Sequence, residues 1–216
     1  MTFQNNLVLS GDADIRIAGY LARVAQDALT IYYRGSEIYG QGEPAGLLYA
    51  VDFGCIRLGR FTADGRRQIC GFCFAGDVFG WESDREHRFF AEAVDDTSVR
   101  ILRPGRDSEA STKLFPLAVE TLTRFQEHLL MLGRTSVDER LAGFLCDLAE
   151  RQGGGTSVRL PMQRSDIGDY IGVTLETVSR VLRRFKDQGL ISMPDVHSVE
   201  ILDVGGLESV ARREMN

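Results

Sequence analysis

The chain has no run of about 20 consecutive apolar residues, so no segment reads as a membrane-spanning helix. It opens with no leader pattern of basic, apolar and small residues, and a cytoplasmic protein is the expectation. Cysteine is scarce: Cys55, Cys70, Cys73 and Cys146 fit a reducing compartment and exclude a disulfide scaffold. Cys70 and Cys73 form a C-x-x-C with no second ligand pair nearby. On a strand, residues three apart point to opposite faces, and only a bulge at Gly71 would bring both thiols to one side. Buried structural thiols are the expectation, with a single redox-responsive thiol as the alternative. There is no nucleophile–base motif, no phosphate loop and no cluster of metal ligands, so neither an enzyme nor a bound cofactor or metal is expected. Net positive charge is also missing, since the chain carries −6. That sum argues against nucleic acid until its distribution is considered. Acids crowd around Glu92, Asp95 and Asp96, while residues 159–186 are basic. Salt screens charges beyond about 8–10 Å, so local charge governs attraction to phosphate.

What is present has a clear order. The 216 residues suffice for one large domain or two small ones, and the 26% charged and 44% hydrophobic fractions are those of a globular protein. Residues 1–27 are polar, with Ile17, Tyr20, Leu21 and Val24 as an apolar helical face. From Leu29 to about Pro104, β-type runs (LTIYYR, GLLYAV, CIRLGRF, QICGFCF, SVRILR) alternate with glycines. Many short strands with regular glycine turns predict an antiparallel barrel or roll, and Asp64-Gly65 marks a hairpin.

A helix is predicted from near Ser111 to about Ser136. Phe115, Ala118, Leu122, Phe125, Leu129 and Leu132 recur at alternating spacings of three and four, which is a heptad seam. Such a seam calls for a partner helix, most naturally that of a second copy. Leu114, Leu117 and Leu130 are left for another face, where the helix can pack on its own β domain. Asp138 to Arg151 reads as a second amphipathic helix, ended by Gly153-Gly154-Gly155, with a short strand at Val158–Leu160.

Arg164 to Lys186, RSDIGDYIGVTLETVSRVLRRFK, predicts a helix-turn-helix. Gly168 sits where the helices must approach closely, and Gly172 where the turn needs positive φ. Thr174 offers an N-cap oxygen, with acidic Glu176 in the first turn. Ile167, Ile171, Val173, Val178, Val181, Leu182 and Phe185 supply the inner side. Glu176, Ser179 and Arg180 fall at i, i+3 and i+4 and share the outer face. Arginine offers two donors that match guanine O6 and N7, and a carboxylate can accept from cytosine N4. The pattern therefore predicts a reader of the major groove. Gly189 ends the second helix, the runs LISMP and VEILDV predict a β wing, and residues 207–216 predict a polar helical tail.

This order, and the segments CGFCFAGDVFG, DERLAGFL and SDIGDYIGVTLETVSRVLRRF, resemble the CRP/FNR superfamily of bacterial transcription regulators over nearly the whole chain. E-x-x-S-R at Glu176, Ser179 and Arg180 is the pattern of its FNR and FixK branch. The resemblance implies an α+β fold. Residues 1–110 would form a β-roll like that of cyclic-nucleotide-binding domains, 111–136 a dimerisation helix, and 137–216 a winged helix-turn-helix. It implies a homodimeric activator on a TTGAT…ATCAA palindrome, governing low-oxygen or nitrogen-fixation genes and touching RNA polymerase. The Glu82–Arg88 loop and the Asp64-Gly65 hairpin are the candidate polymerase contacts. The cyclic-AMP receptor carries an arginine just before the glutamate, where this chain has Leu175, so a TGTGA site is not implied.

Departures from the family bear on the signal. Phe89 and Phe90 replace the Arg-Ser pair that holds a cyclic nucleotide, although Arg88 is adjacent. The cysteines that hold an iron–sulfur cluster are missing, because none precedes Cys55 and the roll position is Arg100. What remains resembles FixK, with activity set by how much protein is made. A haem- or redox-dependent nitric-oxide sensor is the alternative, with His87, His128 and His197 as its candidate ligands; a cyclic-nucleotide-responsive regulator is another. On this reading Arg180 takes a guanine, Glu176 accepts from the opposite strand and Ser179 touches a thymine, while Arg164, Thr174, Thr177 and Arg183 contact phosphate.

Overall fold

The computed structural model describes residues 29–103 and 108–212, with side chains of the long helix described from Leu114 onward. The apolar face expected within residues 1–27 and the end of the tail at 213–216 lie outside the described residues.

Eight short strands come first: β1 (Leu29–Tyr32), β2 (Glu37–Tyr39), β3 (Leu48–Phe53), β4 (Cys55–Phe61), β5 (Arg67–Phe74), β6 (Val78–Phe79), β7 (Phe90–Ala93) and β8 (Thr97–Leu102). They pair antiparallel into two four-stranded sheets, in the orders β1-β8-β3-β6 and β2-β7-β4-β5. Tyr39, Val51, Ile56, Phe79, Ala91 and Val99 fill the space between the sheets. Strands β2, β6 and β7 did not stand out in the sequence, because they are two to four residues long and Glu37 and Glu92 interrupt the apolar pattern.

Helix α1 (Ser108–Leu132) follows, and it stops four residues short of the expected end at Ser136. The reason is local. Ser136 is the N-cap of α2 (Val137–Arg151), its side chain accepting from the Asp138 amide at 3.2 Å. Two parallel stripes run along α1. Leu114, Leu117, His128 and Met131 are buried, and Leu114 and Leu117 pack on Leu48, Ala50, Val78 and Leu102 of the roll. The neighbouring stripe points outward, with Phe115 68%, Leu122 57% and Leu129 67% exposed. Leu130, expected beside Leu114 and Leu117 on the roll-facing side, is exposed instead, because His128 and Met131 occupy that side of the last turns.

The C-terminal third contains β9 (Ser157–Arg159), α3 (Arg164–Ile171), α4 (Leu175–Asp187), β10 (Ile191–Asp195), β11 (Ser198–Ile201) and α5 (Val204–Ala211). The strands form one antiparallel sheet in the order β10-β11-β9. Helix α5 begins earlier than the expected tail and takes over the end of the VEILDV run. Asp203 caps it by accepting from the Gly206 amide at 2.8 Å, and Leu207 and Ala211 are buried. One continuous core joins this third to the roll, from Cys55, Ile69 and Phe72 through α2 to Ile167, Val178 and Phe185. Among the described residues no helix is long and apolar enough to cross a membrane.

Candidate nucleic-acid interface

The turn between α3 and α4 is built by two glycines. Gly172 adopts φ +73°, a left-handed conformation that other residues avoid. The chain then folds back over α3, and the Val173 amide donates to the Gly168 carbonyl at 2.9 Å. A Cβ on Gly168 would lie 2.7 Å from the Val173 carbonyl oxygen, so only glycine admits this approach. Thr174 takes extended backbone angles, and its Oγ1 accepts from the Thr177 amide at 3.3 Å, which opens α4.

Helix α4 is sharply two-sided. Val178, Val181, Leu182 and Phe185 are buried, whereas Glu176, Arg180 and Arg183 are exposed and Ser179 is half-buried. Arg164 reaches across from α3, its Nη1 donating to Ser179 Oγ at 3.3 Å. These five residues line an open groove of about 1080 Å³ between α4 and the β10–β11 wing. Thr174 and Thr177 stand beside it at the start of α4, their hydroxyls 3.2 Å apart. The Glu176 carboxyl is held below the usual carboxylate range, first by its own backbone amide and then by the Thr174 hydroxyl. It is therefore an ionised acceptor at neutral pH. Arg184, within the basic stretch at 159–186, turns away to pair with Asp138 of α2.

The groove also holds Leu175, Lys186 and His197, and three residues not singled out in the sequence, Met193, Asp195 and Val196. Leu175 and Val196 are large apolar side chains left in solvent at its two rims. The available signal was the Asp195–Ser198 turn between two apolar runs, which places a wing tip opposite the first turn of α4.

The alternative sensing residues are dispersed. His87 is buried and stacks on Tyr39 with ring centroids 3.6 Å apart. His128 lies on α1 and its Nε2 donates to the Tyr170 carbonyl at 2.9 Å, while His197 sits at the wing tip. No group of three or more His, Cys, Asp or Glu side chains among the described residues is arranged to hold a metal. Cys70 is the extra residue of a bulge between β4 and β5, so the regular alternation expected between it and Cys73 does not hold, and both line one cavity. Burial pushes the Cys70 thiol up to about 12 and raises Cys55, Cys73 and Cys146 as well, which favours the protonated thiol over the thiolate. That cavity, about 890 Å³, also takes in Phe89, Trp81 and Arg124. Two of its cations, Arg124 and Arg151, share Asp77. Phe90 is buried against Phe61, Arg88 pairs with Asp84, and Arg100 pairs with Asp52 at 2.9 Å.

Comparison with known proteins agrees with this geometry. The model of the Crp-like helix-turn-helix domain matches residues 139–210, and that of the cyclic nucleotide-binding domain matches residues 29–107. The nitrogen fixation regulation protein FixK of Rhizobium meliloti (strain 1021) is 44% identical over 179 residues, covering 83% of this chain and 85% of the relative. The FixK of Azorhizobium caulinodans is 41% identical over 211 residues, covering 92% of this chain and 84% of the relative. The solved structure of FixK2 from Bradyrhizobium japonicum superposes with a TM-score of 0.80 at 37% identity, covering 88% of this chain and 99% of that one. The chain belongs to the CRP/FNR family of transcription regulators, on its FixK branch.

Proposed function

We propose that this chain works in the bacterial cytoplasm as a homodimer that reads a TTGAT…ATCAA palindrome through α4 and activates nitrogen-fixation or low-oxygen genes. The observation that carries this reading is the outer face of α4, with Glu176 and Arg180 exposed and Ser179 half-buried, lining an open groove. Arg180 supplies the bidentate donor for guanine, ionised Glu176 the acceptor for a base of the opposite strand, and Ser179 the contact to thymine. Arg164, Thr174, Thr177 and Arg183 flank this face and serve the phosphates. The outward stripe Phe115, Ala118, Leu122, Phe125, Leu129 and Leu132 pairs with its symmetry mate and sets the two α4 helices about one DNA turn, ~34–36 Å, apart. Polymerase contact falls to the Glu82–Arg88 loop and the Asp64-Gly65 hairpin, where residues 83–86, 88 and 64–66 are exposed. Activity follows abundance, a reading supported by Phe89 and Phe90 standing where the nucleotide-binding members of the family carry an Arg-Ser pair. The nitrogen-fixation assignment rests on the relatives' names.

The test is Arg180→Ala. It should cost ~1–3 kcal/mol per half-site and remove discrimination at the guanine. Competition titrations against duplexes changed only at that base pair read both effects. Binding that stays equally tight and equally selective refutes the assignment.

A further inference from the structure

Helix α3 does more than support α4. Two of its acids, Asp166 and Asp169, stand one turn apart on a single face, and they meet two arginines from strands about a hundred residues away in sequence. Arg57 of β4 gives its Nη1 to Asp166 Oδ2 at 2.8 Å, and Arg67 of β5 gives its Nη2 to Asp166 Oδ1 at 2.5 Å. The Arg67 guanidinium also bonds Asp169 Oδ2 at 3.0 Å, and the far side of Arg57 pairs with Glu92 of β7. Asp166 is only 1% exposed, so each oxygen of a buried carboxylate is taken by a separate guanidinium of the roll.

A buried ion cluster is a weak source of net stability, because desolvation offsets much of the attraction, but its geometry is strict. If α3 left the roll, water would rehydrate all of these charges. The cluster thus fixes an orientation while remaining reversible. A second contact adjoins it. Tyr170 of α3 sits against Phe72 of β5 at 5.3 Å, against Phe144 of α2 at 5.7 Å, and flat on His128 of α1 at 3.8 Å. Arg140 of α2 donates to the Ile171 carbonyl at 2.9 Å. The roll, α1 and α2 therefore all grip the same helix. The opposite side of the helix pair, with Glu176, Arg180 and Arg183, stays exposed.

We propose that Arg57, Arg67, Asp166 and Asp169 form a latch that holds the helix-turn-helix in its DNA-competent orientation without an effector. They are positioning residues: they touch no base or phosphate but set the angle and spacing at which two α4 helices meet a palindrome. This rests on the dimeric reading of α4 given above. The latch holds the reader at a fixed angle to the roll and ties it to α1 through His128 and Tyr170.

The test is the full-length Arg57→Met/Arg67→Met protein, which keeps the long side-chain stems but not the charge. Palindrome binding needs both units correctly placed at once, so partial loss of the latch should weaken it about tenfold. Affinity for a duplex with only one intact half-site should be unchanged, because the base-reading groups are untouched. The wild type should also reject a palindrome whose half-sites are separated by one extra base pair, whereas the double variant should tolerate it. Small-angle X-ray scattering of the DNA-free proteins should show a larger radius of gyration for the variant at the same oligomeric state. Wild-type binding with wild-type spacing preference overturns the latch, and so does tighter binding, which would make the contact inhibitory. Equal loss on the single half-site also overturns a positioning role. If the unaltered protein binds neither duplex, the reading of α4 fails, and scattering alone decides the latch: expansion of the variant supports it and an unchanged profile refutes it.

Discussion

Replacing Leu129 with glutamate is expected to break the dimer and, with it, palindrome binding. Leu129 is 67% exposed on the single chain, on the stripe of α1 that faces away from the roll. Full burial of a leucine side chain contributes ~1.5–3 kcal/mol, so covering the exposed two-thirds contributes ~1–2 kcal/mol per subunit. A symmetric interface buries the residue twice, which gives ~2–4 kcal/mol for the dimer. At ~1.4 kcal/mol per decade, the dimer dissociation constant should rise roughly 30- to 1000-fold from the lost burial alone. Two facing carboxylates add repulsion. Sedimentation equilibrium over a range of concentrations reads the change directly. Leu130 provides the control, being more exposed but off the stripe, so Leu130→Glu should leave the association constant nearly unaltered. A Leu129→Glu protein that sediments as the wild-type dimer would refute the seam, and equal effects at both positions would refute its register.

Two further outcomes follow from the same geometry. Thr174→Ala removes the oxygen that accepts from the Thr177 amide and should destabilise the fold by ~0.5–2 kcal/mol in urea titrations; unaltered stability would mean that the cap is not formed in solution. Burial holds the His128 and His87 imidazoles below their ordinary range. The unfolded chain gains protons near pH ~6.5 before the folded chain does, so stability is complete above that pH and falls as the solution is acidified through it. His128→Gln should flatten part of that fall between urea midpoints at about pH 7.5 and 5.5, and an unchanged slope would show that His128 does not titrate in this window.

The helix-turn-helix was legible in the sequence because its determinants are local. A capping threonine, a glycine at the αL turn and an apolar repeat over about twenty residues all point to one geometry. The outward stripe of α1 was legible as periodicity; the inward one was legible only at Leu114 and Leu117, because Leu130 is exposed and His128 and Met131 are buried in its place. Boundaries were less legible where a short polar signal outweighs an apolar run. Ser136 ends the linker after α1, and Asp203 starts α5 inside a segment that looks like a strand. The bulge at Cys70 depends on pairing with β4, which no C-x-x-C spacing reveals. The arginine–aspartate cluster was not legible at all. Asp166 reads as a solvated acid in the first turn of a helix, and only the docking of α3 on β4 and β5 buries it.

The most direct measurement is the affinity of the purified, metal-free protein for two duplexes at one salt concentration, with no ligand added. One duplex carries TTGAT…ATCAA and the other TGTGA…TCACA. Tight binding to the first and weak binding to the second is the expected result, given Glu176, Ser179 and Arg180 on α4 and Leu175 before them. Equal affinity for both, or no binding until a cyclic nucleotide, haem or a reductant is supplied, would contradict an effector-independent reader of that palindrome.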